Sequence, residues 1–366
     1  MVSERHTVLS HRVRKHTVVA VKALPLRDPY ILTSCLQKAL RRGDGEAAGS
    51  AALSLLRLDS RRLWRRIAIL TFEDFGLADL DLTRNNIAAA SNKRWRETVG
   101  GDENVLSYLI GEMAACPRDR RVDNLYMLAV QLTRTPAGRS AFLASKASGP
   151  VADVVQRAVG LVSRCEHQIP NRSIRAVLAG PSNKALLQMR QSGWLTDDLL
   201  DTCMRGRRTS ACVLPLLFPL VKVATEAVGV ASHVVPSNVP EVRLIHGVPG
   251  YAIDGFTRFG KQALAELATA NKAVRRVVSR LRESSRQKGL TYLLFEAEGG
   301  ICTRELSDPF TSELKRHALG CWTGLPHGDV PEAIAVMRSA IPELNYIRQA
   351  LTAQFLEFTQ GGGPYS

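Results

Sequence analysis

A mainly α-helical, multi-helical fold is predicted: a bundle or solenoid-like array with a smaller helical C-terminal domain. Three observations predict it. Ala, Leu and Arg are abundant while aromatic residues make up only 6%, a balance that suits helices better than a β-sandwich. Apolar residues recur at three- and four-residue spacing along much of the chain. Capping aspartates, first-turn prolines and terminal glycines punctuate those stretches.

Residues 1–27 read as a basic N-terminal arm, with Arg5, Arg12, Arg14 and Lys15 among His6, His11 and His16. Within it, Thr17-Val18-Val19-Ala20-Val21 suits either a short strand or a flexible continuation. Asp28-Pro29 opens a helix, because the aspartate accepts free amides and proline gives up no hydrogen bond in the first turn. Ile31, Leu32, Cys35, Leu36, Ala39 and Leu40 recur at helical spacing, and Gly43 ends the element. Asp44 caps a second helix whose Ala47, Ala48, Ala51 and Ala52 permit close helix approach. Asp59 or Ser60 caps a third, with Leu63, Trp64, Ile67 and Leu70 inward and Arg61, Arg62, Arg65 and Arg66 largely outward; Gly76 stops it. Asp102 is the expected cap for Val105–Ala115. Val122–Leu132 and Val151–Val162 mark further helices, with shorter ones between residues 171 and 205. Residues 28–228 are therefore read as one helical domain, without an exact internal repeat at a fixed period.

Gly229, Pro236 and Pro240 mark residues 229–242 as an extended linker. Residues 243–360 form the expected C-terminal helical domain. It begins with the glycine-rich segment His246–Lys261, followed by a helix of about two dozen residues. At 100° per residue, Lys272, Arg275, Arg276, Arg280, Arg282 and Arg286 share one side of that helix, and Val274, Val277, Val278 and Leu281 the other. Leu290–Glu298 suits a strand or a buried helical turn. Further helices are expected after Ser307-Asp308-Pro309 and near Pro331 and Pro342, with a disordered tail at 361–366.

The charge directs the choice of partner. Forty-nine Lys and Arg against 34 Asp and Glu leave +15, an excess that attracts polyanions. The expected partner is a DNA or RNA backbone, contacted by Arg41, Arg42, Arg61, Arg62, Arg65, Arg66, Lys272, Arg275, Arg276, Arg280, Arg282 and Arg286. An acidic protein partner, with the chain as a scaffold or complex subunit, is the alternative. The seven cysteines are odd in number and scattered, with no Cys-x-x-Cys pair. They read as reduced thiols of a cytoplasmic protein with neither metal nor cofactor. The apolar run Ala211–Ala224 is too short to cross a bilayer, so no membrane partner is expected.

Catalytic signals are weak. His246, Asp254 and Arg258 are candidates for a phosphoester hydrolase; equally, Asp254 caps the next helix and the glycines let a turn pack closely. Ser182, Cys203 and His233 lack visible triad partners. Gly43-Asp44-Gly45 lacks the lysine of a phosphate loop, and no Gly-Lys-Ser/Thr sequence occurs. A non-enzymatic protein is the expectation.

Leu36–Asp44, Trp64-Arg65-Arg66-Ile67-Ala68 and Glu73–Asp79 together carry a resemblance. About residues 30–82, this stretch resembles the helical region that follows the ATPase core in the replication-associated recombination protein A and Werner helicase-interacting protein family of clamp-loader-like AAA+ ATPases. The resemblance implies an α-helical protein that oligomerises and works in DNA replication, repair, recombination or a mobile-element system. The missing phosphate loop means that ATP hydrolysis is not implied.

Overall fold

The computed structural model describes residues 2–134, 142, 149–166, 181–283 and 286–360. The expected tail at 361–366, much of the expected helical stretch between 171 and 180, and the side chains of Ser182 and Cys165 lie outside the described residues. Helices dominate, as composition and periodicity predict. No helix among the described residues is long and apolar enough to cross a membrane.

The first elements are α1 (Val2–Lys15), α2 (Pro29–Arg41) and α3 (Gly45–Leu70). In α2, Asp28 accepts the amides of Tyr30 and Ile31, as its Asp-Pro start predicts. The second and third expected helices follow one another within α3 and are separated by a kink at Asp59. That residue leaves helical geometry and its carboxylate accepts the Arg62 amide at 2.9 Å, an internal cap where a cap was expected. α3 ends in a π-helical turn, Thr71–Phe75, closed by the Gly76 amide donating to the Thr71 carbonyl at 2.9 Å. Gly76 has φ 42°, a conformation glycine tolerates.

There follow α4 (Leu80–Ser91), α5 (Lys93–Thr98), α6 (Gly101–Ala115) and α7 (Arg121–Arg134). Gly100, not Asp102, stands at the N-cap of α6. The Asp102 carboxylate is drawn to Arg96 at 2.6 Å and the Trp64 indole at 3.2 Å instead. Next come α8 (Pro150–Glu166), α9 (Pro181–Gln191), α10 (Asp197–Ser210) and α11 (Leu214–Val228). The extended stretch 229–242 contributes β1 (His233–Pro236); two short strands, β2 (Leu244–Ile245) and β3 (Val248–Pro249), form a separate hairpin.

The expected two-dozen-residue helix is in fact two helices, α12 (Arg258–Ala270) and α13 (Lys272–Arg280). Asn271 separates them: its backbone is extended and its side chain caps Ala273 and Val274. α14 (Arg286–Leu294) ends in a second π-helical turn, Phe295–Gly299, so Leu290–Glu298 is helical rather than a strand. β4 (Arg304–Ser307) pairs antiparallel with β1. Then α15 (Pro309–Thr323), α16 (Val330–Ser339) and α17 (Ile341–Gln360) complete the described elements.

An order of elements is repeated. The first unit runs α2, the bent α3, a π-turn with Phe72-Glu73, the inserted helices α4–α6, an extended residue at Arg118, then α7. The second runs α12, the split pair α13 and α14, a π-turn with Phe295-Glu296, β4, then α15. Where the units meet, the Arg118 amide donates to Arg304 and the Leu306 amide donates to Arg118, both at 2.8 Å, and α7 packs against α15. Unequal spacers separate the elements of the two units, so a fixed-period search misses the pattern.

Two apolar cores support this arrangement. The larger joins the helices of residues 28–228 with Phe310, Leu314, Ala318 and Trp322 of α15. The smaller is built from α12–α14, α16 and α17. Residues 243–360 are thus divided between both cores.

Candidate functional site

The two repeated units enclose a cavity of about 480 Å³, within the range typical of small-ligand sites. Helix α2 contributes Tyr30, Thr33, Ser34, Gln37, Lys38 and Arg41, which recur every three or four residues and so line up on one face. On α3 and its π-turn, Arg62, Arg66, Ile69 and Glu73 form a second stripe. The second unit and the turn just before it bring Asp254, Phe256, Tyr292, Phe295, Glu296 and Trp322.

Beneath the cavity lies a network of buried charges. Arg41 donates to Asp74 at 2.7 Å, to Glu73 at 3.3 Å and to the Gly299 carbonyl at 3.2 Å. It therefore ties one π-turn to the other. Arg120 donates to Asp123 at 2.5 Å and to the Gly300 carbonyl at 3.3 Å. Lys38 spends its three protons on Ser34, the Tyr251 carbonyl and Asp254. Arg348 grips Glu298 with two hydrogen bonds, at 3.0 and 2.8 Å. Pairing is required here, since a lone buried charge is strongly unfavourable.

The acid groups facing the cavity are unevenly compensated. Burial, reinforced by Asp123 and Asp74, pushes Glu73 up to about 7, although Arg41 and Arg66 oppose the shift. Burial likewise raises Asp123. Lys315 and Arg120 outweigh burial at Glu296 and hold it below the usual range. Glu73 thus titrates near neutrality and alternates between acceptor and donor. The Asn124 amide nitrogen, also at the lining, is buried without a hydrogen-bond partner among the described residues.

The wall contributed by the second unit is aromatic. Tyr292 and Trp322 have ring centroids 4.3 Å apart, and Phe256 meets Tyr292 edge-on at 5.8 Å. Phe256 remains 49% exposed and Tyr30 62% exposed. Arg62 lies over the Tyr30 ring at 4.6 Å, and Arg66 stands 3.7 Å from Glu73.

The residues expected to contact a phosphate backbone divide into three groups. Arg41 and Arg42 are buried and internally bonded, which corrects their assignment as surface contacts. Arg42 donates to the carbonyls of Glu298 and Pro240 and stacks over Tyr251. Arg62 and Arg66 are half-buried at the cavity, Arg61 is exposed, and Arg65 is exposed while donating to the Ser210 carbonyl. Lys272, Arg275, Arg276, Arg280 and Arg286 are exposed, and Arg282 is half-buried. Arg280 is paired with Asp329 and Glu332, and Arg286 stands 3.9 Å from Glu283. Among the described residues no acid pairs with Lys272, Arg275 or Arg276.

His246, Asp254 and Arg258 do not assemble into one site. Asp254 faces the cavity but is occupied by Lys38 and by the amides of Phe256 and Thr257. Thr257, not Asp254, caps α12. His246 is exposed at a turn with φ 51°, reaches the Gln349 carbonyl at 3.3 Å and lines a different, small pocket. Arg258 lies against Phe259. The buried thiols of Cys35 and Cys302 are pushed up to about 12 by burial, so they are poor nucleophiles. No cluster of three or more metal-ligating side chains occurs among the described residues.

Sequence reasoning passed over the cavity because its residues come from both units. The polar stripe of α2 was the available signal: Thr33, Gln37, Lys38 and Arg41 at helical spacing in a helix otherwise rich in apolar residues. Comparisons with protein-family models, curated proteins and solved structures gave no match to this chain.

Proposed function

We propose that the protein is a nucleic-acid-associated accessory protein that binds the phosphate backbone without itself catalysing a reaction. The observation that carries this reading is the outer face of α13. Lys272, Arg275 and Arg276 are exposed and without acid partners among the described residues, while Val274 and Val277 anchor the opposite face in the smaller core. A rigid helix with such a face meets polyanions by charge rather than by base sequence. Arg61 and the basic last turn of α1, Arg12, Arg14 and Lys15, add further cations elsewhere.

The resemblance of residues 30–82 to the helical region of the clamp-loader-like family supports a place in DNA replication, repair, recombination or a mobile-element system. It also supports self-assembly, through which weak contacts on each copy add up. The buried Arg41 and Arg42 belong to the scaffold of this reading, not to its binding face.

The test is anisotropy with labelled single- and double-stranded oligonucleotides, comparing the wild type with Lys272→Glu/Arg275→Glu/Arg276→Glu. Binding that falls steeply with salt and is weakened in the variant supports the proposal. Retained oligonucleotide affinity in the folded variant would refute α13 as the binding face. Binding only to an acidic protein would replace the proposal with the scaffold alternative.

A further inference from the structure

The cavity has three chemically distinct parts. The first unit supplies a hydrogen-bonding edge: Glu73, Asp123 and the unpartnered Asn124 amide. The second supplies a wall of rings, Phe256, Tyr292 and Trp322. At the mouth stand two half-buried guanidinium groups, Arg62 and Arg66. Arg62 lies over the exposed ring of Tyr30, and its Nε stands 3.5 Å from the Asp59 carboxylate.

A ligand matching all three parts needs a flat face for stacking, an edge of donors and acceptors, and an anion at its far end. A simple anion leaves the ring wall empty. An apolar ligand leaves the buried asparagine amide without a partner, which is costly in a partly desolvated site. We infer that the cavity between the two repeated units binds a nucleotide, with the base against the ring wall and the Glu73–Asn124 edge, and the phosphate on Arg62 and Arg66. Aromatic stacking accepts any base, whereas the carboxyl and amide groups discriminate among base edges.

This site is separate from the outer face of α13, so it stands whether or not that face binds a backbone. The same chemistry has two sources: a free mononucleotide, or an unpaired nucleotide turned out of a strand. A strand nucleotide would need its base to leave the stack, a cost of a few kcal/mol in a duplex.

The experiment is calorimetric titration of the full chain with AMP, GMP, CMP and UMP, with the matching nucleosides, and with ribose 5-phosphate. At least one nucleotide should bind. Its nucleoside should bind about tenfold more weakly, through loss of the charge-assisted hydrogen bonds, and ribose 5-phosphate should bind still more weakly. Arg66→Ala should remove the difference between nucleotide and nucleoside. Tyr30→Ala and Phe256→Ala alter exposed rings at the mouth, so they should keep the fold while weakening the nucleotide several-fold.

Absence of binding by all four nucleotides overturns the inference. So does equal binding of ribose 5-phosphate, or unchanged affinity in the folded Tyr30→Ala and Phe256→Ala variants. A 2-aminopurine in a single-stranded oligonucleotide distinguishes the sources. Emission that changes on binding and reverts in Phe256→Ala supports a strand nucleotide; unchanged emission alongside mononucleotide binding supports a free one. Loss of oligonucleotide binding in the α13 variant, with mononucleotide binding intact, separates this site from the backbone face.

Discussion

Arg41 Nε meets Asp74 Oδ1 at 2.7 Å, with each side chain only 1% exposed. The pair joins α2 to the first π-turn, and a second arm of the same arginine reaches the Gly299 carbonyl in the other π-turn. A residue that looks like a surface cation in the sequence is thus a clamp between the two repeated units. π-Helical turns recur at functional sites because they redirect side chains that a regular helix would bury elsewhere. Here both place acids beside the shared cavity.

Arg41→Met is expected to destabilise the protein by about 3 kcal/mol, because buried Asp74 loses its nearest cation and keeps only the Arg120 guanidinium at 3.5 Å and the Gln37 amide at 3.2 Å. Denaturant unfolding checks this. Arg41→Met/Asp74→Leu should recover part of the loss, since it removes both charges. Neither change should alter the oligonucleotide affinity of the protein that remains folded.

Glu73 sets a pH dependence whose sign follows from its raised value. Its carboxyl is held near 7 in the folded chain against about 4.5 when unfolded, so the folded state binds the extra proton between these values. Stability from this group is full below about 4.5, declines as pH rises through about 7, and is then constant. Unfolding measured from pH 4 to pH 8 should therefore show a shallower decline, or a rise, in Glu73→Gln relative to wild type. Superimposable profiles would count against this assignment.

Gly206 on α10 lies against the Phe72 ring, next to Glu73, with no room for a Cβ. Gly206→Ala should lower stability by about 1–3 kcal/mol through overpacking, despite the better helix propensity of alanine. A thermal melt reads the loss. The same variant should weaken nucleotide binding if the shifted ring displaces the first π-turn.

Much of the fold was legible because its signals are local. Asp28, Asp44, Asp59 and Asp308 each accept amides at the start of helical segments, and short-range patterns carry such caps. Alternation of Val274 and Val277 with Lys272, Arg275 and Arg276 likewise gave the two faces of α13. Its length was misjudged because Asn271 fits a helix in composition but acts as a cap between two. The site was harder to read because its partners are distant in sequence. Lys38 finds Asp254, and Arg41 finds Gly299, only when the second unit folds against the first. Nothing in the local pattern of Leu36–Asp44 separates a buried arginine from a solvated one.

The basic surface differs from that interior in what substitution does. Lys272→Glu, Arg275→Glu and Arg276→Glu should each change stability by no more than about 0.5 kcal/mol, as exposed positions without acid partners. Any weakening of oligonucleotide binding in such folded variants then reports on the binding face rather than on folding. Circular dichroism and unfolding curves provide the control.

The most direct measurement is the slope of log affinity against log salt for a labelled oligonucleotide, in the wild type and in Lys272→Glu/Arg275→Glu/Arg276→Glu. The proposed function predicts affinity that falls steeply between about 50 and 200 mM salt. It also predicts a smaller slope in the variant, by about one for each phosphate that is no longer neutralised. No binding at low salt, or the same affinity and slope in both proteins, would contradict it.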